Sequence, residues 1–85
     1  MGSVVIYTKA NCAYCEFAKN FLTSKNITFN EIRVDLDPEK LAEMEQLSKR
    51  RTVPQIFINQ QSIGGYDDLM KLAQSGELQQ LLNLL

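Results

Sequence analysis

Two cysteines, Cys12 and Cys15, are the whole cysteine content of this 85-residue chain, and they stand three positions apart. A chain this short sits near the lower size limit for folding on a hydrophobic core alone, and secreted domains of similar size use several disulfides across long loops. A bridge between Cys12 and Cys15 closes almost no loop, so it removes little entropy from the unfolded chain. The fold must therefore rest on apolar burial, for which 45% apolar residues suffice. The cysteine pair is left free for chemistry. Zinc is a weak alternative, because four ligands are usual and the chain has no histidine and no third cysteine. Two inert buried cysteines are the other alternative, and the position of the pair argues against it.

That position follows from the periodicity on either side. Val4-Val5-Ile6-Tyr7 is a β-branched and aromatic run that reads as a buried strand. Beyond Asn11, a candidate N-cap, Phe17, Ala18, Phe21 and Leu22 recur at helical spacing, and this helix is expected to end near Lys25-Asn26. A second strand is expected over Ile27–Val34. Asp37-Pro38-Glu39 is a helix-start signal, with Leu41, Met44 and Leu47 as the apolar stripe behind it. Gln55–Ile58 and Gln61–Ile63 flank Asn59-Gln60 as a hairpin would. Gly64-Gly65 leads into a third helix from about Asp67 to Ala73, closed by Ser75-Gly76. Leu78, Leu81, Leu82, Leu84 and Leu85 suggest a short packed helical tail. The order β-α-β-α-β-β-α begins with a βαβ unit, hence a parallel pair, and ends with an antiparallel hairpin. The expected class is α/β, a mixed four-stranded sheet flanked by helices.

The cysteines thus fall at a strand-to-helix junction. Free backbone N–H groups and the positive end of the helix dipole favour an anion there, which lowers a cysteine pKa and raises the thiolate fraction. Cys12 is expected to be the nucleophile. Cys15, one turn on and deeper, is expected to be the resolving thiol. Three other segments carry chemistry beside a plainer role. Thr52-Val53-Pro54 alone reads as a strand-start device; beside a redox pair it reads as a cis-proline loop whose Val53 backbone can pair with an extended peptide. Gly64-Gly65-Tyr66-Asp67-Asp68 is a glycine turn before a helix, and also an anion site at a helix N-terminus with an acidic pair able to hold an ammonium group. Lys9, Arg50 and Arg51 converge on the cysteines if the loops that carry them adjoin; otherwise they solvate a surface.

Tyr7-Thr8-Lys9, Cys12-Ala13-Tyr14-Cys15, Thr52-Val53-Pro54-Gln55-Ile56-Phe57-Ile58 and Gly64-Gly65-Tyr66-Asp67-Asp68-Leu69, in that order, resemble the bacterial dithiol glutaredoxins. The resemblance spans essentially the whole chain, residues 1–85, as one domain. It implies the thioredoxin-like fold and a glutathione-dependent reduction of protein disulfides and glutathione mixed disulfides. Carried over by position, Cys12 attacks and Cys15 resolves. Lys9, Tyr14 and Arg50 would meet the glycine end of glutathione, with Thr52, Val53 and Pro54 pairing with its cysteine residue through the Val53 backbone. Gly65, Tyr66, Asp67 and Asp68 would hold its γ-glutamyl end. One position departs from the pattern: the family usually has proline where Ala13 stands. Proline removes an N–H donor, so Ala13 leaves one more donor facing the sulfur. Some members without that proline bind a bridging [2Fe–2S] cluster across a dimer. That is the minority expectation here; otherwise no metal is expected.

The rest of the composition narrows the partners. Nine basic and ten acidic residues leave a formal net charge of −1, which gives no reason to expect nucleic acid or an anionic membrane as a partner. There is no signal peptide pattern and no run of the roughly 20 apolar residues that would span a bilayer, so a cytoplasmic monomer is expected. The nearest rivals are a thioredoxin, which typically carries Trp-Cys-Gly-Pro-Cys, and a glutaredoxin-like hydrogen donor, which usually lacks the acidic pair. This chain has no tryptophan and has Asp67-Asp68. A pure interaction module is the third rival, and a cysteine pair at a helix start speaks against it.

Overall fold

In a computed structural model, residues 3–83 of the chain are described. Strands β1 (Val4–Thr8), β2 (Asn30–Arg33), β3 (Gln55–Ile58) and β4 (Gln61–Gly64) form one sheet in the order β2-β1-β3-β4. Helices α1 (Ala13–Ser24), α2 (Pro38–Ser48), α3 (Tyr66–Ser75) and α4 (Glu77–Leu82) cover it. β1 runs parallel to β2 and antiparallel to β3, which is antiparallel to β4. This is the mixed sheet that a βαβ unit followed by a hairpin requires.

The two central strands are the most apolar because both of their faces are covered. Successive side chains point to opposite faces. Val4, Ile6, Ile56 and Ile58 accordingly join Ala18, Leu22, Leu69 and Leu78 on one side, under α1, α3 and α4. Tyr7 and Phe57 join Val34 and Met44 on the other, against α2. The edge strands β2 and β4 begin with exposed polar residues.

Local signals account for most boundaries. Asp37 caps α2 by accepting from the Glu39 N–H at 3.0 Å, with Pro38 at the first helical position. Asn59 and Gln60 both take left-handed φ, 53° and 68°, as a two-residue hairpin turn of matching twist needs. Gly76, at φ 86°, ends α3.

Four expectations are corrected. The second strand is Asn30–Arg33 and not Ile27–Val34, because the Ile27 N–H still bonds the Leu22 carbonyl at the end of α1. Asn11 does not cap α1; it sits at φ 57°, and Cys12 is the N-cap. Phe17 and Leu47 follow the helical period, yet they are 49% and 55% exposed. Each stands one position before a buried residue of its helix, Ala18 or Ser48, and so about 100° round from the buried face. The third helix, expected from about Asp67 to Ala73, runs from Tyr66 to Ser75, whereas the short packed helical tail is there as expected, as α4 anchored by Leu78. Leu84 and Leu85 lie outside the described residues.

On the α2 side, the buried Tyr7 hydroxyl donates to Glu43 Oε2 at 2.7 Å. Burial first, and this hydrogen bond second, push its phenol from 10.0 up to about 12. A raised value in the folded state means that folding favours the neutral phenol. Its contribution is complete below the unfolded value and disappears as pH rises between the two. Tyr7→Phe should cost about 1–2 kcal/mol at neutral pH. The gap between wild type and variant should then close or invert by about 1–3 kcal/mol as pH rises from about 10 to about 12, as read by urea unfolding. Asp37→Ala should cost about 1 kcal/mol through loss of the α2 cap, with an unchanged denaturant slope.

A candidate active site where β1 meets α1

Cys12 ends the β1–α1 loop in extended conformation, φ −115° and ψ 105°, and serves as the N-cap of α1. Its own sulfur acts as the capping acceptor: the Cys15 N–H donates to Cys12 Sγ at 3.2 Å. The cap that sequence would assign to an amide or carboxylate side chain is therefore filled by the Cys12 sulfur itself. The two cysteines are joined as a disulfide, with Cα atoms 5.2 Å apart, inside the range a bridge allows. Their exposure is unequal. Cys12 is half-buried, and Cys15 is 0% exposed beneath it.

The loop before Cys12 is held from outside. The Ala10 N–H donates to Asp35 Oδ2 at 3.2 Å, and Arg33 grips the same carboxylate at 2.7 and 2.6 Å. The Arg33 guanidinium is the main reason that Asp35 titrates at about 2. Thr8, buried at the end of β1, donates to Glu31 Oε2 at 2.7 Å, and Lys19 reaches the same oxygen at 3.0 Å. The Thr8 hydroxyl and then Lys19 hold the Glu31 carboxyl below its usual value against the opposing effect of burial.

Across from Cys12 lies the Thr52-Val53-Pro54 loop. The Val53–Pro54 bond is cis, as the sequence suggested, and the Val53 carbonyl oxygen is 3.9 Å from Cys12 Sγ. Gly65 follows as the N-cap of α3, and a Cβ there would already touch the Pro54 carbonyl at 3.4 Å. The Gly65 N–H donates to Asp68 Oδ2 at 2.9 Å, and Arg50 Nη1 donates to the same oxygen at 3.0 Å. The Gly65 N–H and then Arg50 hold the Asp68 carboxyl below its usual value. Gly64, at φ 112°, packs directly against that carboxylate, and a Cβ would collide with it.

Between these loops opens a cavity of about 280 Å³ lined by Tyr14, Arg50, Thr52, Val53, Pro54, Gln55, Gly65, Tyr66, Asp67 and Asp68. Nine of the positions singled out in the sequence meet in it. Lys9 does not line it; it is exposed on the β1–α1 loop. Arg51 is 87% exposed at its side chain and pairs with Glu45 at 3.5 Å, the solvating role. Arg50 and Asp68, expected at opposite ends of a ligand, pair with each other across one wall. Gln55 was not singled out: a glutamine at a strand start carries no local signal that it will be buried. Tyr14, Phe17 and Tyr66 form an aromatic group beside the cavity, with ring centroids 5.8–6.0 Å apart. Neither cysteine lines this cavity; Val53 does, and its carbonyl, 3.9 Å from Cys12 Sγ, sets the cavity beside the pair. Larger hollows of about 480, 490 and 440 Å³ lie around α3, α4 and the turn after α1. Among the described residues no group of three or more His, Cys, Asp or Glu side chains gathers as a metal site.

Comparison with known proteins agrees with this arrangement. The glutaredoxin family profile matches residues 4–63. Glutaredoxin 3 of Escherichia coli K12 is 50% identical over 82 residues, covering 96% of this chain and 99% of its own. The solution structure of glutaredoxin from Brucella melitensis superposes with a TM-score of 0.82 at 48% identity, covering 94% of this chain and 87% of that one. A buckwheat glutaredoxin–glutathione complex superposes at 0.88 and 28% identity, covering 96% and 77%. With the cysteine pair at the helix start and the cis-proline loop facing it, the chain belongs to the glutaredoxin family of thiol–disulfide oxidoreductases.

Proposed function

We propose that this chain reduces glutathione mixed disulfides and protein disulfides, with glutathione as electron donor. The observation that carries this reading is the cavity beside Cys12: the half-exposed Arg50 guanidinium keeps donors for a carboxylate beyond the one that meets Asp68, and Asp67 at the start of α3 faces an α-amino acid end. A free tripeptide with both charges fits those walls better than an uncharged disulfide would. The buckwheat relative, solved as its complex with glutathione, supports the same ligand class. A need for reduced glutathione fits a cytoplasmic address.

Once the pair is reduced, the Cys15 N–H that faces Cys12 Sγ at 3.2 Å and the α1 dipole favour a thiolate at Cys12. Cys15, fully buried, cannot meet a bulky disulfide; Cys12 can. The Cys12 thiolate attacks the glutathione sulfur of a protein mixed disulfide. The Cys12–glutathione disulfide forms, and the protein leaves as a thiolate that takes up a proton. A second glutathione thiolate attacks the bound glutathione sulfur, forming glutathione disulfide and returning Cys12 as thiolate. On a protein disulfide, Cys12 forms the mixed disulfide with one substrate sulfur and releases the other. Cys15 then loses its proton and attacks Cys12 Sγ, which frees the substrate and leaves the Cys12–Cys15 disulfide. Two glutathiones restore the dithiol. The Val53 backbone pairs with the extended chain that brings the disulfide in; the 3.9 Å between its carbonyl and Cys12 Sγ supports this role.

The two routes separate by mutation. Cys15→Ser should retain turnover of a glutathione mixed disulfide and lose catalytic reduction of a protein disulfide, while Cys12→Ser should lose both. The check is steady-state turnover with glutathione and its reductase recycling the system; loss of the first activity in Cys15→Ser would overturn the one-cysteine route. Asp67→Asn should raise KM for the mixed disulfide about three- to fivefold, the size of an exposed charge pair, with kcat little changed.

A further inference from the structure

Gln55 is 1% exposed, lines the cavity beside Cys12, and is only half satisfied. Its Nε2 donates to the Thr52 carbonyl at 3.0 Å and to Thr52 Oγ1 at 3.2 Å. Its Oε1 is the one buried side-chain polar atom without a partner among the described residues. The amide cannot be turned round to relieve this, because Oε1 would then face the Thr52 carbonyl, acceptor against acceptor. An unpartnered buried acceptor opposes folding, and an apolar side chain of the same length would not carry that cost. What the amide supplies is its donor end. That end ties Thr52 to Gln55, so that only Val53 and the cis-linked Pro54 lie inside the loop it closes.

We infer that Gln55 is a positioning residue for disulfide capture: its side-chain amide fixes the Thr52–Pro54 loop so that the Val53 backbone faces Cys12 and the incoming chain. It does so through Thr52 and touches no reacting atom. The inference rests on the proposed docking of the substrate along Val53. Its chemistry is that of hydrogen bonding alone, so it acts on capture of the disulfide and leaves sulfur exchange itself untouched.

The test compares Gln55→Met, which keeps length and removes both donor and orphaned acceptor, with wild type. The substrate is the mixed disulfide of glutathione with a small thiol. KM should rise about three- to tenfold, the worth of one or two neutral hydrogen bonds, with kcat held within about twofold. The pH profile of Cys12 alkylation by iodoacetamide should not move, and urea unfolding should show equal or higher stability. A merely structural role predicts the reverse: lower stability with KM unchanged. Thr52→Val removes one of the two acceptors from the other side. It should raise KM less, and it should not add to Gln55→Met in the double variant. An unchanged KM in Gln55→Met, or in Thr52→Val if Gln55→Met does not fold, overturns the inference. If wild type itself fails to turn over the glutathione mixed disulfide, the glutathione reading falls instead. The role of Gln55 is then decided by the same KM comparison on a disulfide-bonded peptide, with dithiothreitol as reductant.

Discussion

Burial of Ala18 and Leu22 against Ile6, Ile56 and Ile58 fixes where α1 lies, and with it where α1 begins. All five side chains are fully buried, so the helix cannot slide or roll without opening a void, and such voids are expensive in a close-packed interior. Cys12 stands one residue before that helix and Cys15 in its first turn. The unequal exposure of the two sulfurs is therefore a result of core packing. One face of α1 must turn Cys15 and Ala18 toward the sheet, which leaves Cys12 at the rim.

Around this anchor the loops are tied by side chains, some distant in the chain and some three residues away. Asp35 and Arg33 hold Ala10, Glu31 and Lys19 hold Thr8, Asp68 and Arg50 hold Gly65, and Gln55 holds Thr52. Most of these pairs are exposed enough that each contributes little to stability. Their effect is geometric. Three short segments that carry no regular hydrogen-bond ladder are each given a partner, and the cavity beside Cys12 keeps its walls. The pairing of Arg50 with Asp68 also keeps two opposite charges fixed at one rim instead of loose in solvent.

The face of the sheet toward α2 is smaller and more polar in its support. Tyr7 packs edge-on against Phe57, with centroids 5.5 Å apart, and its hydroxyl donates to Glu43 of α2. Tyr7 is one residue from Thr8, the last residue of β1 before the loop that leads to Cys12. The second layer thus braces β1 from behind at the point where the strand hands over to the loop that carries Cys12.

The sequence by itself determined the order of elements, the hairpin at Asn59-Gln60, the start of α2 at Asp37-Pro38 and the chemistry of Cys12 and Cys15. Those are local matters: a period of two or of 3.6, a residue that accepts positive φ, a cap, or a pair of thiols one turn apart speaks through its neighbours in the chain. It also pointed to Thr52–Pro54 and Gly65–Asp68, because turn chemistry marks them. It did not determine that β2 would start only at Asn30, since Ile27 is claimed by the end of α1. It did not place Lys9 outside the cavity, pair Arg50 with Asp68, bury Gln55, or expose Phe17. Those outcomes depend on which segments the sheet order β2-β1-β3-β4 and its register bring side by side. A one-residue change of register would send every side chain of a strand to the other face, and no local signal in the chain reports that choice.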